Sequence, residues 1–245
     1  MEAGKQVWLA FGVSTCIALG LLEGIKVLAR KRVVDTALAR KLTHILVGLV
    51  FIPCWALFPY DDEPDMSARV AALIPAGIVA KFAAMGLGII DDPPTLAMLS
   101  RSGAKEELLY GPTQYGIIFV VTTWGAFRSP GSVCQLVLLC VGDGLADVVG
   151  RRLGSRKLPH SPDKSWAGSA AFVVGSYLAG IVYLYGCSSA GLGWYPLQKV
   201  HDWVFGWNWF VVCLLAGVVE SLPLPAVDNV TVFATAYILC SAWGL

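Results

Sequence analysis

Eight apolar runs, at residues 7–28, 42–60, 69–90, 110–128, 131–150, 167–187, 204–221 and 226–244, govern what this chain can become. Each is close to the ~20 residues that carry an α-helix across a bilayer. They predict an all-α, polytopic integral membrane protein with about eight transmembrane helices. The count stays open by one where only Arg128, Pro130 and Gly131 divide the fourth run from the fifth. Charged residues make up 14% of the chain and mean hydropathy is +0.67, whereas soluble domains carry about 25% charged residues. A soluble globule is thereby excluded. Eight crossings of ~20 residues would use about two thirds of the 245 residues, which leaves one membrane-embedded domain over residues 1–245. A net charge of +1 supplies no basic field for nucleic acid.

The seven cysteines, Cys16, Cys54, Cys134, Cys140, Cys187, Cys213 and Cys240, are scattered through apolar stretches without a C-x-x-C pair. They read as small buried hydrophobes. The run from Val7 is preceded by no basic region beyond Lys5, and the start lacks the Arg- and Ser-rich pattern of a transit peptide, so the first helix is expected in the mature protein. Orientation follows from Lys and Arg, of which 13 fall in the first, third and fifth loops and four on the opposite side. That opposite side also carries the acidic run Asp61, Asp62, Glu63 and Asp65. The odd-numbered loops therefore face the cytosol or its organellar equivalent, with both termini on the far side. The longest loops, 91–109 and 151–166, lie on the positive side.

Near the end of the fifth run stands Gly142-Asp143-Gly144-Leu145-Ala146-Asp147, followed by Gly150-Arg151-Arg152. On a helix, residues four apart project from one face, so Asp143 and Asp147 share it. An acid inside a membrane helix costs about 2.5–3.5 kcal/mol and needs compensation. Mg²⁺ is one compensator, because it is commonly held by one or two carboxylates with water and phosphate oxygens. Ion pairing with Arg151 or Arg152 is the other. Lys164-Ser165-Trp166-Ala167-Gly168 then offers a cation, a hydroxyl and a helix N-terminus, the makings of a phosphate site. A plain N-cap beside an orienting lysine has the same residues. This is not a P-loop, since Gly150 and Gly154 are followed by Ser155-Arg156-Lys157 at the wrong spacing.

Arg40, Lys41 and His44 share a face at the start of the second helix, where an orientation signal would not require the histidine. Residues 100–112 read as an interfacial helix and a breaker, with Glu106 and Glu107 solvated. Glu220-Ser221-Leu222-Pro223 closes the seventh helix and Asp228-Asn229 opens the eighth, which brings four polar clusters to one side. The sequon at Asn229 is discounted because it lies at the membrane face on the inner side. Glu23 and Lys81 lie near or within spans, Lys81 close to the middle of the third; a transport path, snorkelling and mutual pairing would all explain them.

Taken in order, Arg40-Lys41-x-x-His44, Ser100-Arg101 with Glu107-Leu108-Leu109-x-Gly111-Pro112, the Gly142 to Gly154 stretch, Lys157-Leu158-Pro159 with Lys164 to Ser169, and Glu220 to Pro223 with Asp228-Asn229 resemble the CTP-dependent polyprenol kinase family, in its phytol and farnesol kinase branch. The resemblance runs from about residue 28 to 235. It implies transfer of the γ-phosphoryl group of CTP to phytol, farnesol or a related prenyl alcohol drawn from the lipid bilayer. On this resemblance Asp143 and Asp147 hold Mg²⁺ and the triphosphate, and Lys164 and Arg151 contact phosphates. Ser165 and Gly168 form the holding loop, and Asp228 with Asn229 orients metal or nucleotide. Arg40, Lys41, His44, Gly142 and Glu220 complete the nucleotide site; Asp143, Glu220 and Asp228 all remain candidates for the base. The chain departs from the family at Tyr110, where a basic residue is usual, at His160-Ser161-Pro162-Asp163, where relatives often have Tyr-Asn-x-Asn, and in a shorter acidic stretch before Asp228.

There are two rivals, one another enzyme and one from a different class. A CDP-alcohol phosphotransferase needs Asp-Gly-x-x-Ala-Arg, but Ala146 comes one residue early and the later aspartates are missing. An ion-coupled transporter using Asp143, Asp147, Glu220 and Lys81 should show inverted repeats, and none is visible. The organelle, chloroplast or endoplasmic reticulum, is not written in the sequence, nor is the oligomeric state.

Overall fold

The computed structural model describes residues 2–60, 66–189, 197–205, 207–224 and 227–244, so the acidic run at 61–65 lies outside the described residues. The protein is an all-α, polytopic membrane protein, and a helix lies under each of the eight apolar runs. Five stretches are long and apolar enough to cross a membrane: Gly4–Arg30, Thr36–Leu57, Met66–Gly86, Pro130–Leu153 and Trp166–Gly186. The other three runs form helices of 14 or 15 residues, roughly 22 Å at 1.5 Å per residue and short of a ~30 Å hydrocarbon core. The chain forms two compact units, residues 1–127 and 128–245.

The first unit holds α1 (Glu2–Arg30), α2 (Thr36–Cys54), α3 (Met66–Gly86), α4 (Pro93–Leu99) and α5 (Gly111–Gly125). Asp35 caps α2 by accepting from the Leu38 amide at 2.7 Å. Asp92 caps α4 the same way through Thr95, with Pro93 at the first helical position. Ile25 of α1, Ala39 of α2, Phe82 and Met85 of α3, Met98 and Leu99 of α4 and Leu108 bury one another in a single cluster. The loops after α1 and α3 therefore share an end of this unit. At the other end of α2, Trp55 and Phe58 are buried against Phe127, with Trp55 and Phe127 centroids 5.2 Å apart.

Residues 100–110 differ from the expected interfacial helix. Ser100 to Ala104 form a loop, Lys105–Leu109 a 3₁₀ turn, and Gly111-Pro112 starts α5 instead of breaking a helix. The reason is Glu107, expected to be solvated, whose carboxylate accepts from the Ser100 hydroxyl at 2.7 Å and from the amides of Arg101 and Ser102. Those donors hold its pKa well below the usual carboxylate range, to about 2.

The second unit is built on α6 (Pro130–Val137) and α7 (Asp143–Leu153), joined without a break by a π-helical turn at Leu138–Gly142. This continuous helix is the most deeply buried of the five long ones. A two-stranded antiparallel hairpin, β1 (Lys157–Leu158) and β2 (Ser161–Ser165), leads into α8 (Trp166–Gly180), where the sequence suggested only a loop. Next come the short α9 (Cys187–Ser189), α10 (Leu197–Phe205), α11 (Trp207–Glu220) and α12 (Asp228–Ala242). Gly180 leaves room for the Trp209 indole, whose Nε1 donates to the Tyr177 carbonyl at 3.1 Å and ties α11 to α8. Among the described cysteines, Cys54, Cys134, Cys140, Cys213 and Cys240 are buried as expected, while Cys16 is exposed.

Candidate active site

The second unit gathers its polar residues where α7, the hairpin, α11 and α12 meet. The π turn ends at Gly142, so Asp143 opens α7 immediately after an extra residue in the helical ladder. Such single π turns recur at functional sites because they redirect the side chains that follow. Gly142 itself sits under Phe172 and Ser176 of α8, and a Cβ there would lie 2.8 Å from the Phe172 ring. Its glycine is thus required by the α7–α8 packing.

Lys164, on β2, forms an ion pair with Glu220 at the end of α11. The Glu220 side chain is 3% exposed and that of Lys164 27% exposed, so the pair is largely withdrawn from water. Burial alone pushes the Lys164 ammonium toward its neutral form. The Glu220 carboxylate outweighs this, and with Asp143 and Asp228 also close by, the pKa of Lys164 is raised. Acids from three helices thereby act on one ammonium, with Glu220 in direct contact. Asp228 stands in the first turn of α12, where a carboxylate complements the positive end of the helix dipole, and it accepts from the Asn229 amide at 2.9 Å.

Ser165 is the N-cap of α8: its hydroxyl accepts from the Gly168 amide at 3.1 Å. A Cβ on Gly168 would stand 2.8 Å from the Ala146 carbonyl and 3.4 Å from the Gly150 Cα. Gly168 therefore lets α8 cross α7 in near backbone contact, and Gly154 lets the chain turn tightly over Ser165 at the end of α7. Asp147 is drawn into a different interaction, accepting from Arg151 Nε at 2.9 Å one helical turn away. That is the local pairing the sequence left open beside a metal role.

Arg40, Lys41 and His44 belong to the first unit. Lys41 is buried, and the His44 ring lies 4.2 Å from that of Tyr115, whose hydroxyl donates to the His44 carbonyl at 2.5 Å. Lys81 lies midway between the centre of α3 and its end at Gly86. It pairs with Asp92 at 2.7 Å, and Glu23 pairs with Lys26. Each is thus paired, but with a neighbour close in sequence and not with the other, so mutual pairing of Glu23 with Lys81 is corrected.

No family model and no solved structure matches the chain. Its curated relatives do. A probable phytol kinase 2, chloroplastic, from Oryza sativa subsp. japonica is 35% identical over 232 residues, covering 94% of this chain and 73% of that protein. The farnesol kinase, chloroplastic, of Arabidopsis thaliana is 34% identical over 232 residues, covering 93% and 72%. The chain belongs to the phytol and farnesol kinase family. The phytol kinase 1, chloroplastic, of Arabidopsis thaliana matches at 34% over 222 residues.

In this prenyl alcohol kinase, sequence reasoning overlooked two residues at the site. His160 Nε2 lies 3.0 Å from Ser221 Oγ, and Ser221 Oγ donates to the Val218 carbonyl at 2.7 Å. With the serine proton committed to Val218, the imidazole Nε2–H is the donor. The kinase hairpin is thus tied to the end of α11 twice, by His160–Ser221 and by Lys164–Glu220. His160 carried one signal, its place in a segment where the chain departs from the family pattern, and Ser221 another, its place in the matching Glu220 to Pro223 stretch.

Proposed function

We propose that this prenyl alcohol kinase transfers the γ-phosphoryl group of CTP to the hydroxyl of phytol, farnesol or a related long-chain isoprenoid alcohol. The alcohol oxygen forms a bond to the γ-phosphorus as the bond from that phosphorus to the β–γ bridging oxygen breaks. Products are the prenyl monophosphate and CDP. The observation that carries this reading is Lys164 held on buried Glu220 with Asp143 and Asp228 beside it. Phosphoryl transfer asks a protein for positioning and charge neutralisation. Lys164 supplies the positive charge at the transferring group, Arg151 and the α8 N-terminus at Ser165 and Gly168 hold the remaining phosphates, and Asn229 with Asp228 orients the nucleotide. A carboxylate among Asp143, Glu220 and Asp228 accepts the proton of the alcohol. Arg40, Lys41, His44 and Gly142 are proposed as nucleotide contacts on the family resemblance alone.

The donor set suits Mg²⁺. Asp143 and Asp147 offer hard carboxylate oxygens one turn apart, and among the described residues no cluster of three or more His, Cys, Asp or Glu could enclose a metal. A cation held there must complete its shell with water and phosphate oxygens, as Mg²⁺ does. When bound it would offset triphosphate charge. We further propose that both units, residues 1–245, serve one catalytic domain. We assign the protein to a chloroplast membrane, as the names of its relatives do for them.

The test is transfer of label from γ-labelled CTP in detergent with phytol or farnesol present and absent. The expected result is alcohol-dependent appearance of labelled prenyl phosphate that chelation of Mg²⁺ abolishes. Nucleotide turnover indifferent to the alcohol would overturn the reading.

A further inference from the structure

The first unit contains a narrow cavity of about 280 Å³ between α1 and α3, closed at one end by α4. Its lining runs along α1 from Phe11 to Lys26, roughly 22 Å at 1.5 Å per residue, and along α3 from Leu73 to Phe82, roughly 14 Å. A volume this small over that length accepts an extended chain and no compact ligand. Its walls are aliphatic and aromatic, with Leu19 and Leu22 facing Leu73, Ile78 and Phe82. Gly77 widens one wall, because a Cβ added there would meet nothing within 4 Å.

Apart from Thr15, the polar lining groups gather at one end, where Glu23, Lys26, Lys81 and Thr95 line the cavity. Each ammonium there already has its own carboxylate, Lys26 with Glu23 and Lys81 with Asp92. The end therefore presents hydrogen-bonding groups with no net charge. A phosphate headgroup would gain no uncompensated cation and would meet two carboxylates, whereas a hydroxyl fits. The Lys and Arg distribution of the sequence puts this end, with the loops after α1 and α3, on the same membrane side as the loop at 151–166.

We propose that this groove binds the chain of the isoprenoid alcohol, with the hydroxyl end leaving it past Lys26 and Lys81, and that it reads chain length. The proposal rests on the kinase reading above. It makes Gly77 a specificity-determining position. A phenylalanine there fills the groove and shortens the chain it accepts.

The experiment compares Gly77→Phe and Gly77→Leu with Ala80→Phe, an exposed position on the same helix that does not line the groove. Replacing a mid-helix glycine favours the helix, so these variants are expected to fold. Phytol, farnesol and geraniol are the substrates. Gly77→Phe should lower kcat/KM for phytol by at least about tenfold more than for geraniol, through KM, with the KM for CTP unchanged. Ala80→Phe should keep the wild-type profile. A diazirine-bearing farnesol should also crosslink to α1 or α3 without nucleotide. An unchanged chain-length profile in both Gly77 variants overturns the proposal, and so does crosslinking abolished by phosphatidylglycerol, which would make the groove a site for bilayer lipid. Absence of phosphorylation by the wild-type protein with crosslinking retained would sink the kinase reading and leave the groove standing.

Discussion

Lys164 answers to two demands, neutralising a carboxylate that is 3% exposed and, on the proposed mechanism, neutralising the transferring phosphate. The two can be separated. Lys164→Met leaves Glu220 buried without its cation, which costs up to about 3–5 kcal/mol. Adding Glu220→Gln removes the orphaned charge, so the double variant should recover most of the lost Tm. Turnover should not recover: loss of one preorganised charged contact commonly lowers kcat by 10²- to 10³-fold. A double variant restored in both Tm and kcat would make the pair purely structural. The sequence exposed each half of this pair through its chemistry, a lysine before a helix start and an acid at a helix end. It could not show that they meet, because 56 residues separate them and the hairpin that brings them together has no periodic signal. The π turn ahead of Asp143 was equally silent, since residues 130–142 are buried on every side and carry no apolar phase for an inserted residue to shift.

At the level of elements, the crossing of α7 and α8 fixes how far Asp143 stands from Lys164. Gly168 holds that crossing through backbone contact alone, with the Ala146 carbonyl and the Gly150 Cα as its neighbours. Backbone does not yield as a flexible side chain does, so Gly168→Ala must push the helices apart, at about 1–3 kcal/mol for overpacking. We expect a lower Tm in detergent and a lower kcat. Gly186→Ala is the control, because nothing lies within 4 Å of its added Cβ. Equal Tm for the two variants would show that the crossing tolerates a methyl group. Here the sequence was partly legible. On the family resemblance Gly142 and Gly168 belonged to the nucleotide site, yet the structure also uses both to seat helix against helix. The loop at Ser100 was misread because Glu107 folds back on Arg101 and Ser102, an interaction that hydrophobic periodicity does not encode.

For the whole molecule, the placement of charge makes the strongest statement, and it is a prediction about sides of a membrane. Thirteen of the eighteen Lys and Arg fall in the first, third and fifth loops. Within the first unit, the cluster of Ile25, Ala39, Phe82, Met98 and Leu108 brings the loops after α1 and α3 to one end, as that distribution requires. Within the second, the hairpin at 157–165 meets the turn after α11 through Lys164–Glu220 and His160–Ser221, so the fifth and seventh loops share an end as well. Each unit agrees internally with a chain that crosses the bilayer once per run, including the runs whose helices have only 14 or 15 residues. If those short helices cross, Lys31→Cys, Ser102→Cys and Asp163→Cys should all react with an impermeant maleimide from one side of sealed vesicles, and Asp62→Cys from the other. Exposed Cys16 is first replaced by serine. The α5 helix is the sensitive step, because it and α6 separate the third loop from the fifth. Were α5 to lie on the surface, Asp163 would appear on the side opposite Ser102. Labelling of Asp62→Cys and Asp163→Cys from the same side would overturn the arrangement, and with it the placing of the alcohol's hydroxyl end and the phosphoryl site on a common face.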